Sequence, residues 1–147
     1  MKQIPVIFWT GTGNTQMMAD AVAEAINAAG AEAVVKNVSE ITADEAAGYD
    51  ALALGCPAMG AEVLEECEFE PFFTELEGKL AGKKVALFGS YGWGGSYMQD
   101  WEARVNDAGA TLVADGVLAL GAPDDEAMAK LAEAGKPVSY THLTLPT

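Results

Sequence analysis

Apolar and polar positions along the chain follow two alternating rhythms. Short, mostly apolar runs at residues 6–10, 33–38, 51–55, 84–89 and 111–120 have the length and bounding residues of strands. Pro5 is tolerable at the start of the first. Between the runs the apolar spacing becomes helical. Residues 15–29 place Met18, Val22 and Ile26 on one face, and Gly30 is the stop signal. A short helix is predicted from Thr42 or Ala43 to Ala47. Three more are predicted at residues 70–80, with Phe72, Phe73, Leu76 and Leu80 apolar, at 96–108 and at 124–134.

Strands and helices in strict turn imply an α/β domain: a parallel, doubly wound sheet with helices on both faces and right-handed crossovers. The runs "ALALG" and "VALFG" are apolar at every position but the last, as a sheet covered on both faces requires. Ligands of such sheets lie beyond the carboxyl ends of the strands. That rule selects the loops at residues 10–15, 55–68 and 90–96.

The first of these loops, "TGTGNT", joins a strand to a helix with two glycines, three threonines and an asparagine. Free N–H groups at the start of a helix attract anions, and glycine lets an anion approach the backbone closely. Thr10, Thr12, Asn14 and Thr15 add side-chain donors around Gly11 and Gly13. The loop has no lysine or arginine, so it is a neutral cradle suited to a terminal monophosphate. It lacks the Gly-Lys-Ser/Thr of a P-loop, and Gln16 stands where a dinucleotide fingerprint needs its third glycine. In the second loop, Met59, Gly60, Ala61 and Glu62 read as a turn in which Gly60 can adopt positive φ. In the third, Trp93 stands between Gly92 and Gly94, better placed to stack on a ligand than to fill a core. The set suits a flat ring with a phosphorylated tail.

Length and charge narrow the class further. The chain of 147 residues is enough for one domain with one sizeable core. It has no apolar run long enough to span a membrane, and its opening residues read as a first strand rather than a leader. Cys56 and Cys67 match neither a metal spacing nor a disulfide framework, which points to a reducing, cytoplasmic setting, with Cys56 a buried thiol. Acids outnumber bases 22 to 8, a net charge of −14. Nucleic acid and anionic membranes are excluded as partners. The acids serve either solubility or docking to basic protein surfaces. After Gly135 the sequence reads "KPVSYTHLTLPT". The helix is predicted to stop at Pro137, and residues 136–147 read as a tail foreign to the domain of residues 1–135, as an out-of-frame end would be.

"WTGTGNT", "LGCPAMGAEVLEECEFEPFF" and "GKKVALFGSYGWG" resemble, in order and spacing, the motifs of the short-chain flavodoxins, particularly those of anaerobic bacteria. The resemblance covers residues 6–135 and implies a flavodoxin-like three-layer sandwich with strand order 2-1-3-4-5. It further implies non-covalent FMN and low-potential, one-electron transport between redox enzymes, by a monomer that is a carrier and not an enzyme. On that basis Thr10, Gly11, Thr12, Gly13, Asn14 and Thr15 hold the phosphate, with Ser90 nearby. Trp93 stacks on the outer face of the ring and Met59 packs on the inner face, within the turn Pro57, Ala58, Met59, Gly60 and Ala61. Glu62 accepts from the ring N3–H, and the backbone of Tyr91, Gly92 and Gly94 meets the pyrimidine edge. The Gly60 carbonyl turns toward N5 as the ring gains an electron and a proton. Ala61 departs from the polar residue often found there in the family. The expected partners are redox proteins with basic surfaces, met by Glu62, Glu65, Glu66, Glu68 and Glu70. An FMN-dependent quinone reductase is the competing reading. A phosphoacceptor receiver domain is excluded because the first and third strands end in Thr10 and Gly55 rather than aspartates.

Overall fold

The computed structural model describes residues 3–11, 13–58, 64–91, 97–113, 116–121 and 123–138. The strands are β1 (Gln3–Phe8), β2 (Glu32–Asn37), β3 (Ala51–Gly55), β4 (Lys84–Tyr91), β5 (Thr111–Leu112) and β6 (Val117–Leu120). The helices are α1 (Asn14–Ala28), α2 (Ala43–Ala47), α3 (Phe69–Glu77), α4 (Tyr97–Asp107) and α5 (Asp125–Val138), with one 3-10 turn at Val38–Glu40. All strand pairs are parallel and the order is β2-β1-β3-β4, with β5 and β6 both beyond β4. This is the expected doubly wound sheet.

Alternation along the strands divides the interior into two unlike halves. Ala51, Ala53, Ala86 and Phe88 face α1 and α5, where small residues dominate. Leu52, Leu54, Val85 and Leu87 face α2, α3 and α4, with Phe69, Phe73, Tyr97 and Trp101 among the packed side chains. On the first side the helices pack closely: a Cβ on Gly135 of α5 would lie 2.6 Å from the Ala25 Cβ of α1. The predicted face of α1, Met18, Val22 and Ile26, is buried as expected.

Several boundaries differ from the sequence reading, each for a physical reason. Pro5 lies inside β1 rather than at its start. Trp9 N–H donates to Gly55 O at 3.0 Å, so by alternation Pro5 points toward β3, whose pairing begins only at Val6. No ladder bond is lost there. The fifth strand is broken. β4 pairs with β5 at Lys84 and Val85 and with β6 from Phe88 to Tyr91, and Ala86 and Leu87 fall between the two pairings. Gly116 marks the interruption: Met98 occupies the space a side chain would need, and the Gly116 N–H donates to Glu102 at 2.8 Å. α3 ends at Glu77 with Gly78 as its cap, although Leu80 is still buried. β4 extends past Gly89 to Tyr91 because Ser90 and Tyr91 pair with Ala119 and Leu120. α5 continues through Pro137 to Val138, so the predicted stop at the proline is incorrect.

Candidate functional site

β1, β3 and β4 end side by side, and the three segments singled out by the sequence leave from that edge. Backbone and side-chain bonds join them. The Ala58 N–H donates to Ser90 O at 2.9 Å, tying the segment after β3 to the end of β4. The hydroxyls of Thr15 and Ser90 share a hydrogen bond of 3.3 Å across 75 residues of sequence, and both side chains are buried. The Thr10 Oγ1 accepts from the Gly13 N–H at 2.9 Å and shapes the first loop. That hydroxyl keeps its own proton to donate, and the Thr15–Ser90 pair likewise keeps one.

The head of α1 differs from the other helix starts. Gly13 precedes it in the left-handed region, φ 95°, and among the described residues no side chain caps it. Its first turn holds no acid. In contrast, Thr42 caps α2, which has Asp44 and Glu45 in its first turn. The Asp124 Oδ1 accepts from the Ala127 N–H at 2.8 Å at the head of α5. Among the described residues, the free N–H groups and partial positive charge at α1 thus meet hydroxyls and no competing carboxylate. This donor set fits a phosphate.

The second segment is anchored by residues the sequence reading had placed on the surface or left in a general core. Glu65 is buried, and its carboxylate accepts from Cys67, Glu68 and Phe69 N–H groups at 2.8, 2.7 and 2.9 Å. Burial alone would raise this carboxyl, but the N–H donors hold it below the ordinary value of 4.5. Cys56 is buried as expected, and burial pushes its thiol up. Its sulfur accepts from the Glu65 N–H at 3.3 Å and its carbonyl accepts from the Tyr97 hydroxyl at 2.8 Å. Gly89 must be a glycine here, because a Cβ would strike the Cys56 carbonyl and the Tyr97 hydroxyl. Glu70 is also not a free surface acid. Arg104 pairs with it at 2.8 and 2.9 Å and with Glu77 at 3.0 Å, while lying 4.7 Å over the Phe73 ring. Of the expected docking acids, Glu66 and Glu68 are exposed, whereas Glu65 is inside. No sequence motif announced Glu65. Its only signal is an acid four residues before the helix, between the apolar Leu64 and Phe69.

Thr10, Gly11, Gly13, Asn14, Thr15, Pro57, Ala58, Ser90 and Tyr91 therefore meet at one edge of the sheet. Thr12, Met59, Gly60, Ala61, Glu62, Gly92, Trp93 and Gly94 lie outside the described residues.

The flavodoxin family model matches residues 6–135. The chain belongs to the flavodoxin family. It is 47% identical over 135 residues to a flavodoxin of Clostridium beijerinckii, covering 91% of this chain and 97% of that one. A flavodoxin of Megasphaera elsdenii is 47% identical over 116 residues, 78% of this chain and 85% of the other. The solution structure of the two-electron reduced Megasphaera elsdenii flavodoxin superposes with a TM-score of 0.83 at 44% identity, covering 90% of this chain and 98% of that one. Oxidised flavodoxin 1 from Bacillus cereus gives 0.84 at 28% identity, covering 97% and 100%. Flavodoxins are FMN-binding electron carriers that work with redox partner proteins and are not enzymes, and this chain takes that activity with the family. Among the described residues, no helix is long and apolar enough to cross a membrane.

Proposed function

We propose that FMN lies along the carboxyl edge of the sheet, with its phosphate at the head of α1. The uncapped, acid-free first turn behind Gly13 carries this reading. Thr10, Gly11, Thr12, Gly13, Asn14 and Thr15 would surround the phosphate, with Ser90 beneath it through Thr15. No base neutralises the loop, so dipoles and hydroxyls alone would hold the dianion. The ring would lie between Met59 and Trp93, with Pro57, Ala58, Gly60, Ala61 and Glu62 along one side and Tyr91, Gly92 and Gly94 along the other. Bound FMN supplies a ring that takes up and releases electrons one at a time. The chain's own acids, at a net charge of −14, disfavour added negative charge and favour a low potential.

The same charge supports docking to redox proteins with basic surfaces, through the exposed Glu66 and Glu68. The working unit in this reading is a cytoplasmic monomer whose domain is residues 1–135, with residues 136–147 a tail. Titration with FMN and riboflavin, followed by flavin fluorescence, tests the phosphate assignment. FMN is expected to bind far more tightly, and equal affinities would overturn it. Electron transfer to a basic acceptor should slow as ionic strength rises through about 0.1 M, where the Debye length is about 10 Å. A flat salt profile would point to apolar docking instead.

A further inference from the structure

Trp9 has a place in the site that the roles above do not use. It follows β1 directly and continues the ladder through its N–H bond to Gly55. One edge of its indole lies against Gly11: a Cβ there would be 3.1 Å from Cη2 and 3.3 Å from Cζ3. On its other edge, Nε1–H donates to the Glu68 Oε1 at 3.1 Å, across 59 residues of sequence. Glu68 is itself fixed, since its N–H is held by Glu65 at 2.7 Å. Glu65 N–H is held by the Cys56 sulfur, and the Cys56 carbonyl by Tyr97 at the head of α4. One run of contacts therefore passes from the first loop through the second segment to the start of α4.

We propose that Trp9 is a positioning residue that registers the phosphate loop against the segment after β3, so that the phosphate and ring ends of the cofactor are gripped as one unit. This rests on the reading that the phosphate lies at the head of α1. Trp9 is only half-buried and Glu68 is exposed, so water could serve either group. A bond between two such groups adds little to folding. Its effect falls on the relative placement of the two loops it joins. Gly11 belongs to the same device, because a side chain there would press on the indole from the loop side.

The test compares wild type, Glu68→Gln, Glu68→Met and Trp9→Phe, each titrated with FMN and with riboflavin by flavin fluorescence. Gln and Met carry the same charge and similar length, but only Gln keeps an oxygen to accept from Nε1–H. The ratio of riboflavin to FMN dissociation constants should be the same in Glu68→Gln as in wild type. It should fall about fivefold in Glu68→Met, the effect of one hydrogen bond of ordinary net strength, and at least as far in Trp9→Phe. A merely structural role would weaken both ligands alike and leave the ratio unchanged. Urea unfolding of the FMN-free position-68 variants should match wild type, since the side chain is exposed. Equal ratios in Glu68→Gln and Glu68→Met would overturn the proposal while leaving FMN binding intact. A wild type that fails to distinguish FMN from riboflavin would instead overturn the phosphate reading, and the clasp with it.

Discussion

The heads of α1 and α3 stand at the same edge of the sheet and treat the same physical problem in opposite ways. Each helix begins with N–H groups that have no partner inside it. At α3 the chain provides its own anion: the buried Glu65 carboxylate accepts from the Phe69 N–H at the helix start and from the Cys67 and Glu68 N–H groups just before it. At α1 the described residues provide no anion, no cap and no first-turn acid, and place hydroxyls beside the gap. One helix start is complete without a ligand, and in the proposed reading the other is completed by the phosphate of FMN. A carboxylate inside the fold and a phosphate brought from outside are thus equivalent solutions, and the difference between them separates structure from site.

Removing the built-in anion should have the largest effect. Glu65→Ala leaves three backbone donors without their acceptor and should cost the FMN-free protein about 3 kcal/mol by urea unfolding. A loss under about 1 kcal/mol would show that α3 does not depend on its carboxylate. The pH dependence has the same origin. Because the folded Glu65 carboxyl lies below its ordinary 4.5, the unfolded chain takes up the proton first as pH falls. Its stabilisation is therefore full above pH 4.5 and is lost as pH falls through the folded value. Glu70, held down by Arg104, acts in the same direction. Glu65→Gln should flatten the acid limb of the stability profile.

Giving α1 an anion of its own should sharpen the comparison. Asn14→Asp places a carboxylate in the first turn, beside the proposed phosphate. The FMN-free protein should gain about 0.5 kcal/mol from the helix dipole. FMN affinity should fall about tenfold or more through repulsion of a dianion at close range. Opposite signs in urea unfolding and fluorescence titration are the expected signature, and a gain in both would break it.

A smaller effect is expected at Gly13. A Cβ there meets nothing within 4 Å, so any cost of Gly13→Ala comes from backbone at φ 95° and not from a clash. That cost should be about 1 kcal/mol. Gly13→Asn should cost less, because Asn tolerates the left-handed region. Equal losses for Ala and Asn would mean that the loop does not hold this conformation in solution.

Most of the architecture was legible because periodicity is local. Alternating runs and helical spacings locate β3 to the residue, α2 to within one residue and the core face of α1 correctly. The broken fifth strand was not legible, since its break depends on Met98 filling the space at Gly116, a contact between distant residues. The extension of β4 over Ser90 and Tyr91 depends in the same way on pairing with β6. In the site, the "TGTGNT" loop was readable because its chemistry lies in consecutive residues. The Thr15–Ser90 pair, the Glu65 cap and the Trp9–Glu68 bond were not, as each is defined by a partner or a depth of burial that composition does not encode. Glu65 in particular looks like its neighbours Glu66 and Glu68 in sequence and differs from them only in being inside.

The close seat of Gly135 against Ala25 has a consequence for how the head of α1 is held. α1 and α5 are far apart in sequence, yet α5 packs on the apolar face of α1 beside the strands. The helix whose head would hold the phosphate is thus seated by a segment remote from it in sequence, so the proposed cradle depends on residues outside its own loop.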